Sequence, residues 1–246
     1  MSENPDNLMR LVLSVKAVRW RAEDPDSHEK DEGFRKIRPK VLERDKHTCK
    51  GCGFKSESWQ EVHHLDDDHA NNNLLNLVTL CSFCHMTQHI GLAGQKGEAS
   101  LIWMPELPQY AINHLVRSIM VAETSAKESL NNKEFQDIAQ AAAVLRAKLT
   151  AREVDAKRLI GTSSAAVLGD VLLRLAAESG DKFYPRREML LDGIRLLPRG
   201  VRKGEDNKDI MAEMLKAWMT AKGGPYAVGR SVKEWRHLLS QIIGGR

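Results

Sequence analysis

Residues 49–89 read CKGCGFKSESWQEVHHLDDDHANNNLLNLVTLCSFCHMTQH and contain every cysteine of the 246-residue chain, as Cys49-x-x-Cys52 and Cys81-x-x-Cys84. Each Cys-x-x-Cys forms a tight knuckle that turns two thiolates toward one ion, and two such knuckles suit a tetrahedral zinc site. A pair of disulfides is the competing reading. The sequence shows no signal-peptide pattern and no apolar run long enough to span a bilayer. It is therefore expected in a reducing cytoplasm, where disulfides rarely persist. Four thiolates leave zinc no open coordination position, so the expected role of Cys49, Cys52, Cys81 and Cys84 is to staple the fold.

The histidines carry a different message. Five of the nine fall between His63 and His89. If CHMTQH begins a helix, His85 and His89 stand four apart on one face and can share a cation. The doublet His63–His64 reads as strand, where neighbouring side chains point to opposite faces. Only one of the two can then meet the ion held by His85 and His89; the other is left to handle a proton.

These residues resemble the HNH endonucleases, also called the ββα-metal or His-metal finger nucleases. The resemblance implies that His63, His85 and His89 ligate a catalytic divalent cation and that His64 is the general base. Asn76 in NLVTLC matches the family's central asparagine, which ties down the loop and orients the base. The family's reaction explains these residue types. An imidazole titrating near pH 6.5 accepts a proton from water, while a cation neutralises charge growing on a phosphodiester. Imidazole ligands suit Zn or Ni, Mg is usually served by oxygen, and Mn stands beside them as a candidate. DNA, duplex by expectation, is the implied substrate.

Around this module the chain is folded but only mildly basic, with 42% hydrophobic residues and a net charge of +4. That charge is compatible with nucleic acid without requiring it. LMRLVLSVKAVRWRA, ahead of the knuckles, reads as a strand or bent pair of strands, and AEDPDSHEKDEG as a surface connection. From Phe34 a helix follows, with Phe34, Ile37 and Val41 on its apolar face; Arg38, Lys40 and Arg44 are candidates for phosphate contact. Asp66, Asp67, Asp68 and His69 read as a solvated loop, and Asn71, Asn72 and Asn73 as turn-formers.

The glycines of GLAGQKGE mark a flexible connection, and SLIWMPEL is a short strand stopped by Pro105. Beyond it the pattern is helical. Ile112, Leu115, Val116, Ile119 and Met120 form one stripe; Leu168, Val171, Leu172 and Leu175 a second; Met211, Met214, Leu215 and Trp218 a third. Gly161–Ser164 and Gly223–Pro225 read as breaks, with Pro185 at a helix start. Lys182 to Lys203 reads as a basic amphipathic helix around Leu190, Ile194 and Leu197. Trp235 joins Trp218 as a core or interface residue. The expected fold is α+β: a zinc-stapled ββα-metal module with N-terminal strands over residues 1–105, then a mostly helical docking domain over 106–246.

The order of elements along the whole chain also resembles the DotN/IcmJ family of type IVB secretion and conjugation subunits. The likeness rests on the early strand, RDKHTCKGCGF, LDDDHANNNLLNLVTLCSFC, SLIWMPEL and IRLLPRG, and is strongest before about Glu106. It implies a non-catalytic adaptor in a coupling complex, partnered by a transport ATPase at the cytoplasmic face of the inner membrane. Two functions are thus expected to compete: a DNA-cleaving enzyme, favoured slightly by the full His63, His64, Asn76, His85 and His89 set, and the adaptor.

Overall fold

A computed structural model describes residues 8–15, 27–68, 70–179, 184–204 and 206–220. The chain divides into two compact units, Met1–Gln95 with Ala165–Leu191, and Lys96–Ser164 with Asp192–Arg246. The architecture is α+β, with two small antiparallel sheets set among helices.

In the first unit, helix α1 (Ser27–Arg44) lays Phe34, Ile37, Val41 and Leu42 against Val62 and Leu77. It begins seven residues before Phe34, inside the stretch expected to be a surface connection. Strands β1 (Gln60–His64) and β2 (Leu77–Cys81) pair antiparallel, Gln60 opposite Cys81 and His64 opposite Leu77. Helices α2 (Ser82–Gln88) and α3 (Ile90–Gln95) follow directly. Asp45, just past α1, is 4% exposed and joins helix to sheet: its carboxylate accepts from the Thr79 amide at 2.9 Å and from Arg44 Nε and Nη2 at 3.0 and 2.9 Å. Burial alone would raise this carboxyl, but those hydrogen bonds outweigh it and hold it below the usual carboxylate range.

Residues 8–15, expected as strand, form no sheet among the described residues. Single backbone bonds tie them down instead: Met9 donates to Lys50, Ser14 to Thr87, and Ile90 to Ser14. The rest of that expected strand, residues 16–22, lies outside the described residues, as do His69, the break at Gly223–Pro225 and Trp235.

The glycines after His89 make a helix crossing rather than a flexible connection. Helix α7 (Ala165–Ser179) lies so close to α3 that a Cβ on Gly169 would sit 2.3 Å from Gly91 Cα. One on Gly94 would sit 2.1 Å from the Ala166 nitrogen. Both obstacles are backbone, which no rotamer change relieves. Gly169→Ala should therefore destabilise the first unit by about 3 kcal/mol or more, at the upper end of overpacking costs. The check is urea unfolding followed by Gly169→Ala against Ala166→Gly; equal stability of wild type and Gly169→Ala would refute the crossing.

Of the segment expected as a basic amphipathic helix, the described residues 184–203 form none. Tyr184–Arg186 is a 3-10 turn, α8 (Arg187–Leu190) one short turn more, and β4 (Ile194–Pro198) a strand. In the second unit, β4 pairs antiparallel with β3 (Ala99–Trp103), Ala99 opposite Pro198. Helices α4 (Gln109–Glu128) and α5 (Lys133–Ala151) form a hairpin whose turn ends on Asn132, whose side chain caps α5 by accepting from the Phe135 amide at 3.3 Å. The Gln109 side chain imitates a neighbouring strand, donating to Leu196 O and accepting from Leu196 N, each at 2.8 Å. Helix α6 (Glu153–Ile160) stops at Gly161, φ 80°, and α9 (Met211–Thr220) buries Met211, Met214, Leu215 and Trp218. Among described helices none is long and apolar enough to cross a membrane.

Candidate functional site

Two groups of potential metal ligands lie in the first unit, interleaved in sequence, and both draw on α2, which begins where β2 ends in Cys81. In the first knuckle, Cys49 N donates to Phe54 O and Gly53 N to Cys49 O, with Gly53 at φ 71° supplying the tight return. Gln60 Nε2 donates to His47 O and Phe54 O, each at 2.9 Å, pinning both ends of that turn to β1. The second knuckle runs from Cys81 into the first turn of α2, and Gly51 packs close against it: a Cβ there would lie 3.2 Å from Cys84 Cβ and 2.8 Å from the end of the Leu11 side chain.

The four sulfurs lie within 4.8 Å of one another, all buried and none in a disulfide. Cys52 Sγ and Cys81 Sγ are 3.7 Å apart. A tetrahedron drawn with metal–sulfur bonds of about 2.3 Å has edges of about 3.8 Å, so the spacing fits an ion of zinc's size. Burial pushes the Cys49 and Cys84 thiols well above their ordinary range. Without a cation the group would be four neutral thiols packed as hydrophobes; a divalent ion is what makes thiolates stable there. The group is suited to hold a structural metal such as zinc.

Strand alternation builds the second group. Gln60, Val62 and His64 face α1, and His64 stacks on Phe34 with ring centroids 5.3 Å apart. Glu61 and His63 face α2, where His85 and His89 project one turn apart. His63, His85 and His89 offer nitrogens within 4.8 Å of one another. His85 Nδ1–H donates to Glu61 Oε2 at 2.5 Å, which leaves Nε2 with its lone pair, 3.2 Å from His89 Nε2. Two ring nitrogens held that close by a carboxylate-oriented histidine match a shared cation, since metal-bound histidines commonly donate their other N–H to a carboxylate. His63 is buried, whereas His85 and His89 are partly exposed, so the group opens toward solvent on the α2 side.

His64, the expected base, is 5% exposed on the sheet face away from this group. Its Nε2–H donates to Asn72 Oδ1 at 3.1 Å. Asn76 does tie the loop: its Nδ2 donates to Asp66 Oδ1 and Asn71 O, at 2.8 and 2.9 Å, and its Oδ1 accepts from Asp66 N. The side chain bonded to His64 is nevertheless that of Asn72. Burial raises the Asp66 carboxyl, but hydrogen bonds from the Asn71 and Asn76 amides and from backbone together outweigh it and hold it below its usual range.

Of the cations expected at phosphate, Arg44 is exposed but has most of its donors taken within the fold. Four of its five N–H groups go to Asp45, Leu74 O and Leu77 O. Arg38 Nη2 donates to Gln60 O at 2.8 Å, and Lys40 is exposed. Sequence reasoning missed Glu61, which strand period two places beside His63, and Asn72, for which no sequence signal distinguishes it from its neighbours.

A first unit with a buried four-cysteine group that could hold a structural metal, followed by a mostly helical second unit, defines the class as an α+β protein with a candidate metal centre. No family model matches the chain. It is 34% identical over 199 residues to the type 4 apparatus protein DotN of Legionella pneumophila, an alignment that covers 78% of this chain and 86% of that protein. The chain belongs to the DotN family.

Proposed function

We propose that the chain is a metal-stapled adaptor of a type IV secretion or conjugation apparatus, docked at the coupling complex and its transport ATPase on the cytoplasmic face of the inner membrane. The similarity to a named type 4 apparatus protein along most of both lengths carries this reading. It reverses the order of preference drawn from the histidine set alone. Residues 1–105 carry both ligand groups, and docking is assigned to 106–246, although Ala165–Leu191 of that span packs with the first unit. In its host, full-length tagged chain is expected to co-purify the coupling ATPase in near-stoichiometric amount after in-cell crosslinking. Recovery of a folded, abundant chain without any apparatus component would overturn the adaptor.

A second reading is favoured by one observation, the His63, His85 and His89 group with Glu61 behind it. On this reading the chain is an HNH-type endonuclease in which those three histidines hold a divalent cation, Zn, Ni, Mn or Mg, which would supply positive charge at the phosphate. His64 would take the proton from water and Asn76 fix its loop. Burial of His64 and its bond to Asn72 weigh against it. Plasmid nicking with each metal decides: cleavage abolished by His64→Ala with folding intact supports the enzyme, and no cleavage by wild type with any of them leaves the adaptor alone.

A further inference from the structure

The second unit holds a half-open cleft of about 220 Å³ where α4, α5 and the end of β4 meet. Its floor is apolar, from Ile119, Leu149 and Leu197, and its rim carries Arg146, Thr150, Arg199 and Glu153, the last paired with Arg199. Neither guanidinium is fully used. Arg146 donates from Nε and Nη2 to Glu123 at 2.9 and 2.8 Å. Arg199 donates from Nη2 to both oxygens of Glu153 at 3.0 and 3.1 Å. Arg146 Nη1 and Arg199 Nε and Nη1 make no hydrogen bond among the described residues. A guanidinium has five N–H groups, so three remain on each.

We propose that this cleft binds a single carboxylate carried on a short apolar stem, the acid taken by Arg146 and Arg199 and the stem lying on Ile119, Leu149 and Leu197. The two ion pairs pre-order both long side chains, which removes much of the entropy cost an incoming acid would otherwise meet. A cation is disfavoured, because the Glu123 and Glu153 oxygens already accept from arginine and Glu153 Oε1 also accepts from Ser100 Oγ at 2.8 Å. A multiply charged phosphate would face those same carboxylates and leave the floor wet. At roughly 30 Å³ per water the cleft has room for about seven waters, hence for a ligand of roughly seven to nine heavy atoms. A small pocket of this kind, with an apolar lining and few polar anchors, is ordinary ligand-site chemistry. The proposal stands apart from the adaptor reading.

Two sources share this chemistry, a free short-chain acid and the C-terminal residue of a peptide. The test titrates the full chain, with its arginines labelled for NMR, with 4-methylvalerate, 4-methylpentanol, N-acetyl-leucine and N-acetyl-leucine amide. The acid is expected to bind with Kd on the order of 1 mM, moving the Arg146 and Arg199 side-chain resonances. The alcohol should bind about tenfold more weakly or worse, because it cannot use the charge-assisted fork. Binding of N-acetyl-leucine equal to or better than that of 4-methylvalerate assigns the site to chain ends; binding of 4-methylvalerate alone assigns it to free acids. The Arg146→Lys, Arg199→Lys double variant should lose about tenfold in affinity, since lysine lacks the planar fork. If that variant misfolds, the wild-type arginine resonances still report. Alcohol or amide binding as tightly as acid, or saturating acid that leaves both arginines unmoved, overturns the proposal.

Discussion

Purified chain should carry one tightly bound zinc at the four cysteines, and Cys49→Ser or Cys84→Ser should lose both that ion and the native first unit. Little else fixes the geometry there. The first knuckle touches β1 through the Gln60 side chain and β2 through the Lys50 N–Thr79 O bond, while the second continues β2 into α2. One ion bound by all four sulfurs therefore closes a 49-to-84 loop and fixes β2, α2 and the knuckle together. Structural zinc contributes on the order of 10 kcal/mol in small zinc-dependent folds. Set against the roughly 5–15 kcal/mol that separates a whole domain from its unfolded state, its loss is decisive. The measurement is metal content by mass spectrometry, with hydrogen exchange across β1 and β2 before and after a strong chelator. Protection in β1 and β2 that survives complete removal of the metal would show that packing alone holds this unit. Cobalt in place of zinc offers a direct check on the donor set, because four thiolates around it give intense visible and near-ultraviolet absorption that a histidine site lacks.

The ligand groups were legible because metal chemistry leaves a spacing signature. Cys-x-x-Cys, the His63–His64 doublet and His85-x-x-x-His89 each encode a local geometry within a few residues, and strand alternation and helical periodicity then aim the side chains. The stripes Ile112 to Met120 and Met211 to Trp218 were legible for the same reason, and both are buried. What stayed hidden depended on residues distant in sequence. IRLLP is too short to separate period two from 3.6, and its partner β3 lies 91 or more residues earlier, Trp103 to Ile194. The glycines of α3 look like a break until α7, more than 70 residues on, is brought against Gly91 and Gly94. Arg44 is a surface cation as read, but nothing local announces that Leu74 O and Leu77 O will take its donors. Asn72 is one of three adjacent asparagines, and only the folded loop selects it for His64.

Glu98→Ala should be the most destabilising single substitution of the second unit, at about 3–5 kcal/mol, the usual result of stripping one partner from a buried ion pair. Glu98 is fully buried at the start of β3, between a solvated turn and the sheet. Its carboxylate accepts from Arg202 Nη1 at 2.7 Å and from the Lys203 amide at 2.6 Å, while its backbone oxygen accepts from Arg199 N at 2.8 Å. One residue thus anchors the chain that leaves β4, from Arg199 through Lys203. Alanine would leave the Arg202 guanidinium, 19% exposed, and a buried amide without this acceptor. Glutamine separates the two contributions: its Oε1 keeps a bond to the Lys203 amide but surrenders the charge, so Glu98→Gln should cost about half as much as alanine. For a protein of this size, a loss of about 4 kcal/mol lowers Tm by roughly 10 °C. Thermal unfolding followed by near-ultraviolet circular dichroism reads this directly, because Trp103 and Trp218 both belong to the second unit. If alanine and glutamine cost the same, the bond to the Lys203 amide contributes nothing and the whole loss belongs to the charge; if glutamine costs nothing, the charge is idle. If neither moves the transition, the 199–203 segment is held by something other than Glu98.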